Sequence, residues 1–131
     1  YLSLDLSFLL NYWTKKIIKN NYKVWHFNFI NFKSLILINS LKKFNQKIIV
    51  TFQGVDLQLH PEIKYGYRLD KKYDNYLKNT LNKVDNFIAI SKNIKNDLLN
   101  LNIEEKKITE IPNTVYIENL KNFLLIKIKI N

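Results

Sequence analysis

The sequence of 131 residues contains no cysteine and no methionine, and only two glycines, two prolines and two histidines. The absence of cysteine excludes disulfides, thiolate metal ligands and cysteine nucleophiles. Two histidines, His26 and His60, are too few for a histidine-rich metal site, so we expect no metal. No apolar run approaches the roughly 20 residues of a membrane-spanning helix, and nothing resembles a cleavable signal. We therefore expect a cytoplasmic protein, and the initial Tyr1 in place of methionine favours a chain truncated at its start.

Arginine is almost absent too, although the formal net charge is +10. Of the 21 basic residues only Arg68 is an arginine, and the lysines are spread along the whole chain. Nucleic-acid-binding proteins use arginine for bidentate contacts with phosphates and bases, so we do not expect nucleic acid as the partner. The abundance of lysine, asparagine and isoleucine, whose codons are A/T-rich, favours a solvated, composition-driven surface. An anionic partner stays open as the alternative, with membrane lipid head groups ahead of nucleic acid.

Apolar residues make up 47% of the chain, which is enough for a buried core, and the length suits one domain or a large piece of a bigger one. Amphipathic stripes at three- and four-residue steps predict helices, and short β-branched or aromatic runs predict strands. Strand and helix alternate, which predicts an α/β fold with a parallel sheet and right-handed crossovers. The helices are expected at 6–17, 35–44, 69–84 and 94–101, and the strands at 24–28, 47–52, 86–90, 107–111 and 123–130.

Polar residues collect where the predicted strands end. The carboxyl ends of parallel strands meet at one edge of a sheet, and ligands bind beyond that edge. We therefore predict a binding site there. The candidate residues at this edge are His26, Gln53, Gly54, Asp56, Ser91 and Asn113.

Each candidate also has a structural explanation. Gly54 would supply a sharp turn, and Asp56 or Ser91 would cap a helix. His26, in the aromatic surroundings of the first strand, would be a satisfied core histidine. Arg68 would belong to a turn, or its guanidinium would hold a carboxylate or phosphate bidentately.

The motifs of several familiar enzymes are missing from the sequence. There is no G-x-G-x-x-G after a strand for a dinucleotide, no G-x-x-x-x-G-K-[ST] for phosphate, and no G-x-S-x-G for an esterase. The aspartates show no metal-site spacing. The residues alone therefore provide no complete catalytic constellation, and no catalytic residue is assigned.

Four short segments carry a more specific pattern. Tyr22–His26 reads YKVWH and Lys47–Asp56 reads KIIVTFQGVD, while Val84–Ser91 reads VDNFIAIS and Lys107–Val115 reads KITEIPNTV. In this order and separation they resemble the pDvvH, TfHGxD, aDxiiavS and kixvIPNGVd motifs of glycosyltransferase family 4.

This resemblance implies a GT-B enzyme, in which two Rossmann-like domains face each other across a cleft. Such enzymes transfer a sugar from a nucleotide donor, usually with retention and without a required metal. The donor site and the E-x7-E motif belong to the C-terminal domain. The chain would thus be the truncated N-terminal half, a Rossmann-like sheet with helices on both faces. Residues 1–118 would form this partial domain, and 119–131 the linker or the start of the missing domain.

The resemblance also implies a function and its partners. The chain would be an inactive fragment of a nucleotide-sugar-dependent hexosyltransferase that builds a polysaccharide or other glycan. Its partner would be a sugar or lipid-linked glycan acceptor, with no cofactor beyond the donor substrate and with peripheral contact to the anionic inner face of a membrane. The acceptor-binding residues would be Gln53, Gly54, Asp56, His26, Arg68, Ser91 and Asn113.

Two positions depart from the family pattern. Gln53 stands where a histidine is frequent, and it can donate a hydrogen bond but cannot act as a general base. A binding role is therefore expected for it, not a catalytic one. Thr114 stands where glycine is usual, so the turn after Asn113 is expected to differ.

A function of a different class stays open. The charge of +10 and the aromatic content of 14% also suit a stand-alone basic α/β module that binds nucleic acid or anionic membrane. If the chain is instead a fragment of a GT-B enzyme, loss of its early strands would leave apolar strand residues unprotected and promote aggregation. The residues expected to be poorly protected on at least one side are Ile48, Ile49, Val50, Phe87, Ile88 and Ile90.

Overall fold

The computed structural model describes residues 12, 14–16, 18–19 and 22–113. From residue 22 onward, strands and helices alternate along the described chain. The strands are β1 (Val24–Phe27), β2 (Lys47–Phe52), β3 (Asn86–Ala89) and β4 (Ile108–Glu110), and the helices are α1 (Phe32–Lys42), α2 (Lys71–Leu81) and α3 (Lys92–Asn100). The predicted strand at 123–130 and most of the predicted helix at 6–17 lie outside the described residues.

The strands form one parallel sheet in the order β1-β2-β3-β4. Phe27 lies beside Val50, Val50 beside Phe87, and Phe87 beside Ile108. This arrangement confirms the predicted α/β fold with a Rossmann-like parallel sheet. The prediction made β1, β3 and β4 slightly too long, because Asn28, Ile90, Lys107 and Ile111 lie outside the strands.

Each of the three helices begins at a residue whose side chain accepts a hydrogen bond from a main-chain N–H of the first turn. Asn31 caps α1, Asp70 caps α2 and Ser91 caps α3. Such caps satisfy N–H groups that have no partner within the helix. The capping explanation proposed for Ser91 is therefore confirmed, with Ser91 Oγ 3.3 Å from the N–H nitrogen of Ile94.

The three helices pack on one face of the sheet. Successive right-handed crossovers that advance in one direction place their helices on the same side. The strand residues on that side and the apolar residues of the helices form a single core. Helices α1, α2 and α3 cover this face of the sheet. The core members at most 1% exposed in the strands are Ile48, Val50, Phe52, Phe87 and Ala89.

Burial alternates along the strands, because successive side chains point to opposite faces. Of the six residues expected to be poorly protected, Ile48, Val50 and Phe87 are fully buried under the helices. The other three, Ile49, Ile88 and Ile90, are half-buried. The predicted exposure therefore applies to one face of the sheet, and aggregation stays a prediction.

At the amino-terminal edge of the sheet, Asp85 joins three elements. Its Oδ2 accepts from the N–H of Ile48 at 2.7 Å and from Lys42 Nζ at 2.9 Å. Burial raises the pKa of this carboxyl, but these hydrogen bonds and the charges of Lys42 and Lys47 outweigh it, so the pKa lies below its ordinary value. The aspartate of the third sequence segment thus has a structural role, away from the predicted binding edge.

Candidate functional site

The loops after the four strands meet at the carboxyl edge of the sheet. They comprise residues 28–31 after β1, 53–70 after β2, 90–91 after β3 and 111–113 after β4. Six of the seven predicted site residues lie in these loops, and His26 lies in β1 itself. The convergence predicted for this edge is therefore present in the structure.

Gln53 connects the first two loops. Its Nε2 donates to the side-chain Oδ1 of Asn28 at 3.1 Å and lies 3.3 Å from the main-chain oxygen of Asn28. These bonds use the N–H groups that were expected to donate to a sugar hydroxyl. Oε1 has no partner among the described residues, and Gln53 is exposed, so this oxygen is free to accept from a ligand hydroxyl.

Asp56 lies beneath the same loop. Its side chain is fully buried and accepts from the N–H groups of Gln53, Gly54 and Ile30 at 2.9, 3.0 and 3.1 Å. Burial raises the pKa of Asp56, while these three donors act in the opposite direction. The loop encloses the carboxylate of Asp56. This side chain is therefore not placed to touch the acceptor directly. It also caps no helix, since residues 55–57 form a turn.

Tyr73 of α2 completes this internal network. Its buried hydroxyl lies 2.9 Å from the main-chain oxygen of Asp56 and 3.2 Å from that of Ile30. Burial raises the pKa of Tyr73 and the neighbouring Asp56 charge raises it further, so the hydroxyl keeps its proton and donates. Helix α2 thereby fixes the loops that follow β1 and β2.

Gly54 has the turn role that was proposed for it. Its φ is +123°, a region that side-chain-bearing residues rarely adopt, and its carbonyl accepts from the N–H groups of Leu57 and Gln58. A Cβ here would lie 3.0 Å from the Tyr65 hydroxyl and 3.2 Å from Gln58 Oε1. The space beside Gly54 is thus occupied by protein side chains. Its contact with an acceptor stays a prediction.

His26 is exposed, so the core explanation for this residue is wrong. Its Nε2 lies 2.7 Å from Oγ1 of the buried Thr51, on the sheet face opposite to the helices. This contact orients the imidazole. Nδ1 has no partner among the described residues and is available to a ligand.

Arg68 has partners within the protein. Its Nε donates to Asp74 Oδ1 at 2.6 Å, and Nη1 donates to the main-chain oxygen of Leu57 at 3.1 Å. Burial raises the pKa of Asp74, but Lys78 and Arg68 lower it more, and the pKa lies below its ordinary value. The carboxylate that Arg68 holds is therefore its own neighbour's, by one hydrogen bond instead of two. Acceptor binding by Arg68 stays a prediction.

Ser91 and Asn113 complete the predicted set. The hydroxyl of Ser91 caps α3 and Ser91 is half-buried, while Asn113 is exposed beyond β4. Among the described residues, neither forms a hydrogen bond with Gln53 or Asn28. Their part in acceptor binding therefore stays a prediction.

An open cleft of about 370 Å³ lies beside the linked loops, between the first turns of α1 and α2. Its volume falls within the range of small-molecule sites. The residues that line it are Asn31, Phe32, Gly66, Tyr67, Asp70 and Tyr73.

None of the residues predicted for the site lines this cleft. Tyr67 lies next to Arg68 in the sequence, but only the arginine was singled out. The signal that could have found the cleft is the pair of capping residues, Asn31 followed directly by Phe32, and Asp70 with Tyr67 and Tyr73 three residues to either side. The sequence does not indicate that the N-termini of α1 and α2 lie close together in space.

No three histidine, aspartate or glutamate side chains in the described part of the chain come together in a way that could hold a metal ion. Likewise, none of the described helices has the length and apolar character needed to cross a membrane.

Comparison with known proteins gives one match. The model of a protein family described as Glycosyltransferase Family 4 matches residues 2–119. No curated protein and no solved structure matches the chain. The family match covers all four segments that resembled the family motifs, and it covers the described cleft and loops.

Proposed function

The chain belongs to glycosyltransferase family 4, and from this premise we propose that it is the acceptor-side domain of a nucleotide-sugar-dependent transferase. The transferase adds a hexose to a sugar or lipid-linked glycan in polysaccharide or glycan biosynthesis, with retention of configuration. The donor nucleotide is held mainly by a second domain, and no cofactor is needed besides the donor.

The observation that carries this proposal is the pair of linked loops at the carboxyl edge of the sheet. Gln53 binds Asn28, and the buried Asp56 and Tyr73 both bind the main chain of Ile30. The two loops are therefore fixed relative to each other before any ligand arrives. A preorganised edge of this kind suits a reaction that depends on positioning an acceptor hydroxyl.

The experiment is a transfer assay with the natural gene product. It is incubated with radiolabelled nucleotide hexoses and a set of glycan and lipid-linked acceptors, and products are identified by mass and by the anomeric coupling in NMR spectra. We expect hexose transfer with an unchanged anomeric configuration. Consumption of no nucleotide sugar would contradict the proposal, and an inverted product would contradict its stereochemical part.

The same assay is also run with the 131-residue chain alone. The proposal assigns the donor site to another domain, so the chain alone is expected to transfer no sugar. Transfer by the chain alone would show that the donor site lies within these residues, contrary to the proposal.

We include in the proposal a cytoplasmic location with peripheral contact to anionic lipid. The net charge of +10 supports this part, because basic surfaces are attracted to anionic membranes over about a Debye length. Co-sedimentation with phosphatidylserine vesicles should be strong at low salt and weak at high salt. Equal binding to neutral vesicles would contradict it.

A further inference from the structure

The cleft between the first turns of α1 and α2 combines aromatic surface with polar groups, and no function has been assigned to it above. Phe32 and Tyr67 supply aromatic surface, and the Tyr67 ring packs edge-on against Phe29 and Tyr73 at centroid distances of 5.9 and 5.6 Å. Tyr67 is nevertheless 42% exposed. Its ring is thus held in place by its neighbours and still offers surface to the cleft.

The polar groups of the cleft are oriented by helix capping. Oδ1 of Asn31 accepts from the N–H of Ser34 at 3.0 Å. A main-chain N–H can only donate, so the amide oxygen of Asn31 faces Ser34 and Nδ2 is left without a partner among the described residues. The cap therefore presents a free donor.

The second capping residue, Asp70, presents a free acceptor to the cleft. Its Oδ1 accepts from the N–H groups of Lys72 and Tyr73 at 2.8 and 3.4 Å. Oδ2 has no hydrogen-bond partner among the described residues and remains a free acceptor. The hydroxyl of Tyr67 also lacks a partner there, and it can donate or accept.

Taking the proposed function as its basis, we propose that this cleft is a subsite for a second sugar ring of the acceptor. A sugar ring has an apolar face of C–H groups and a rim of hydroxyls that both donate and accept. Aromatic surface beside one fixed donor and one fixed acceptor matches both features. An alkyl chain would leave the polar groups of Asn31 and Asp70 unpaired, which disfavours a lipid tail.

The position of the cleft sets the length of the acceptor. Asn31 follows Asn28, the partner of Gln53, by three residues, and an extended chain spans at most about 3.6 Å per residue. The Cα atoms of Asn28 and Asn31 therefore lie within about 11 Å of each other, which places the cleft near the Gln53–Asn28 pair. The acceptor is accordingly an oligosaccharide or a longer glycan, with its reacting sugar near Gln53 and the next ring near Tyr67.

Two substitutions test the polar groups without removing the caps. Asparagine and aspartate are equally good capping residues. Asn31→Asp keeps the bond from Ser34 but replaces the free donor with an acceptor, and Asp70→Asn keeps the cap of α2 but replaces the free acceptor with a donor. Tyr67→Ala removes the ring surface, and Tyr22→Ala is the control, an exposed tyrosine before β1 at the opposite edge of the sheet.

The experiment measures binding of the natural gene product to an array of monosaccharides to hexasaccharides, followed by titration with the strongest-binding free oligosaccharide. We expect oligosaccharides to bind better than monosaccharides. Asn31→Asp and Asp70→Asn should each weaken the titrated affinity about tenfold, and Tyr67→Ala at least as much. Tyr22→Ala should have no effect, and thermal melting of the two cap-preserving variants should match that of the wild type.

Three results would overturn the inference: no array glycan binds, binding survives in all three cleft variants, or free UDP or GDP occupies the cleft as judged by the same variants. The transfer assay run in parallel separates the two proposals. If transfer occurs but the cleft variants leave the acceptor KM unchanged, the subsite fails and the proposed function stands. If glycan binding depends on the cleft but no nucleotide sugar is consumed, the proposed function fails and the subsite stands.

Discussion

Asp56 and Tyr73 hold the same residue from opposite sides. The carboxylate of Asp56 accepts from the N–H of Ile30 at 3.1 Å, and the Tyr73 hydroxyl lies 3.2 Å from the Ile30 carbonyl oxygen. The hydroxyl also lies 2.9 Å from the main-chain oxygen of Asp56. Both polar groups of one residue in the β1 loop are thus bound by side chains from the β2 loop and from α2.

This relationship predicts the effect of Tyr73→Phe. The substitution keeps the ring but removes the hydroxyl, which in the described part of the chain is the one donor to these two buried carbonyl oxygens, so the free energy of unfolding should fall by about 1–3 kcal/mol. Urea unfolding measures it. Tyr76→Phe is the matched control, because the Tyr76 hydroxyl has no hydrogen-bond partner in the described part of the chain, and its effect should stay within about 0.5 kcal/mol. Equal effects of the two substitutions would show that the Tyr73 bonds contribute nothing.

The two glycines should differ in their tolerance of alanine. Both have positive φ, +123° at Gly54 and +107° at Gly66. A Cβ at Gly54 would meet the ends of two side chains that can move, whereas a Cβ at Gly66 would overlap the main-chain oxygen of Gln58. Gly54→Ala should therefore cost about 1–3 kcal/mol of stability, and Gly66→Ala should cost more. Thermal melting of both variants shows which substitution lowers the stability more. A larger loss for Gly54→Ala than for Gly66→Ala would contradict this explanation.

Asp85 should make stability depend on pH at the acid end. Its pKa lies below the ordinary 3.8 in the folded chain, so the unfolded state takes up the proton first as the pH falls. The stabilisation is therefore complete above the ordinary value and is lost as the pH falls through the folded pKa. Asp85→Asn should destabilise the protein at about pH 7 and much less at about pH 2.5, as measured by urea unfolding. A penalty that is the same at both pH values would contradict the ion-pair explanation.

Gln53 should affect transfer without affecting stability. If its Oε1 accepts from an acceptor hydroxyl, Gln53→Ala should lower kcat/KM by an amount equivalent to about 1–3 kcal/mol. Melting should not change, because the side chain is exposed. Asn28→Ala removes the partner that orients Gln53, so the two substitutions together should cost less than the sum of their separate effects. Unchanged kinetics for Gln53→Ala would mean that the acceptor site lies elsewhere.

Much of the fold could be predicted because its signals are local. The run Lys47–Phe52 is a strand with the bounds that its apolar pattern indicated, and Ser91 caps α3 as its position before an amphipathic stripe suggested. The side of the sheet on which α1, α2 and α3 lie could not be predicted in this way. It follows from the strand order, which depends on contacts between distant segments.

The site shows the same division between local and distant information. The sequence indicates that Asp56 follows a strand, but its inward direction depends on the N–H of Ile30, which lies 26 residues earlier. Similarly, the pairing of Arg68 with Asp74 depends on the turn that leads into α2. Residue type thus identified the edge where the polar groups gather, and only the structure separates those that face inward from those that remain free.

The strand order also has a consequence for how this part of the chain folds. Every described strand pairs with the strand that comes immediately before or after it in the sequence, the widest separation being that between Ile49 and Asn86. Each strand–helix–strand unit can therefore close without waiting for a remote segment, which limits the loop-closure entropy of each step. During synthesis, β1, α1 and β2 can associate as soon as they emerge, and β3 and β4 can then add to an existing edge one at a time.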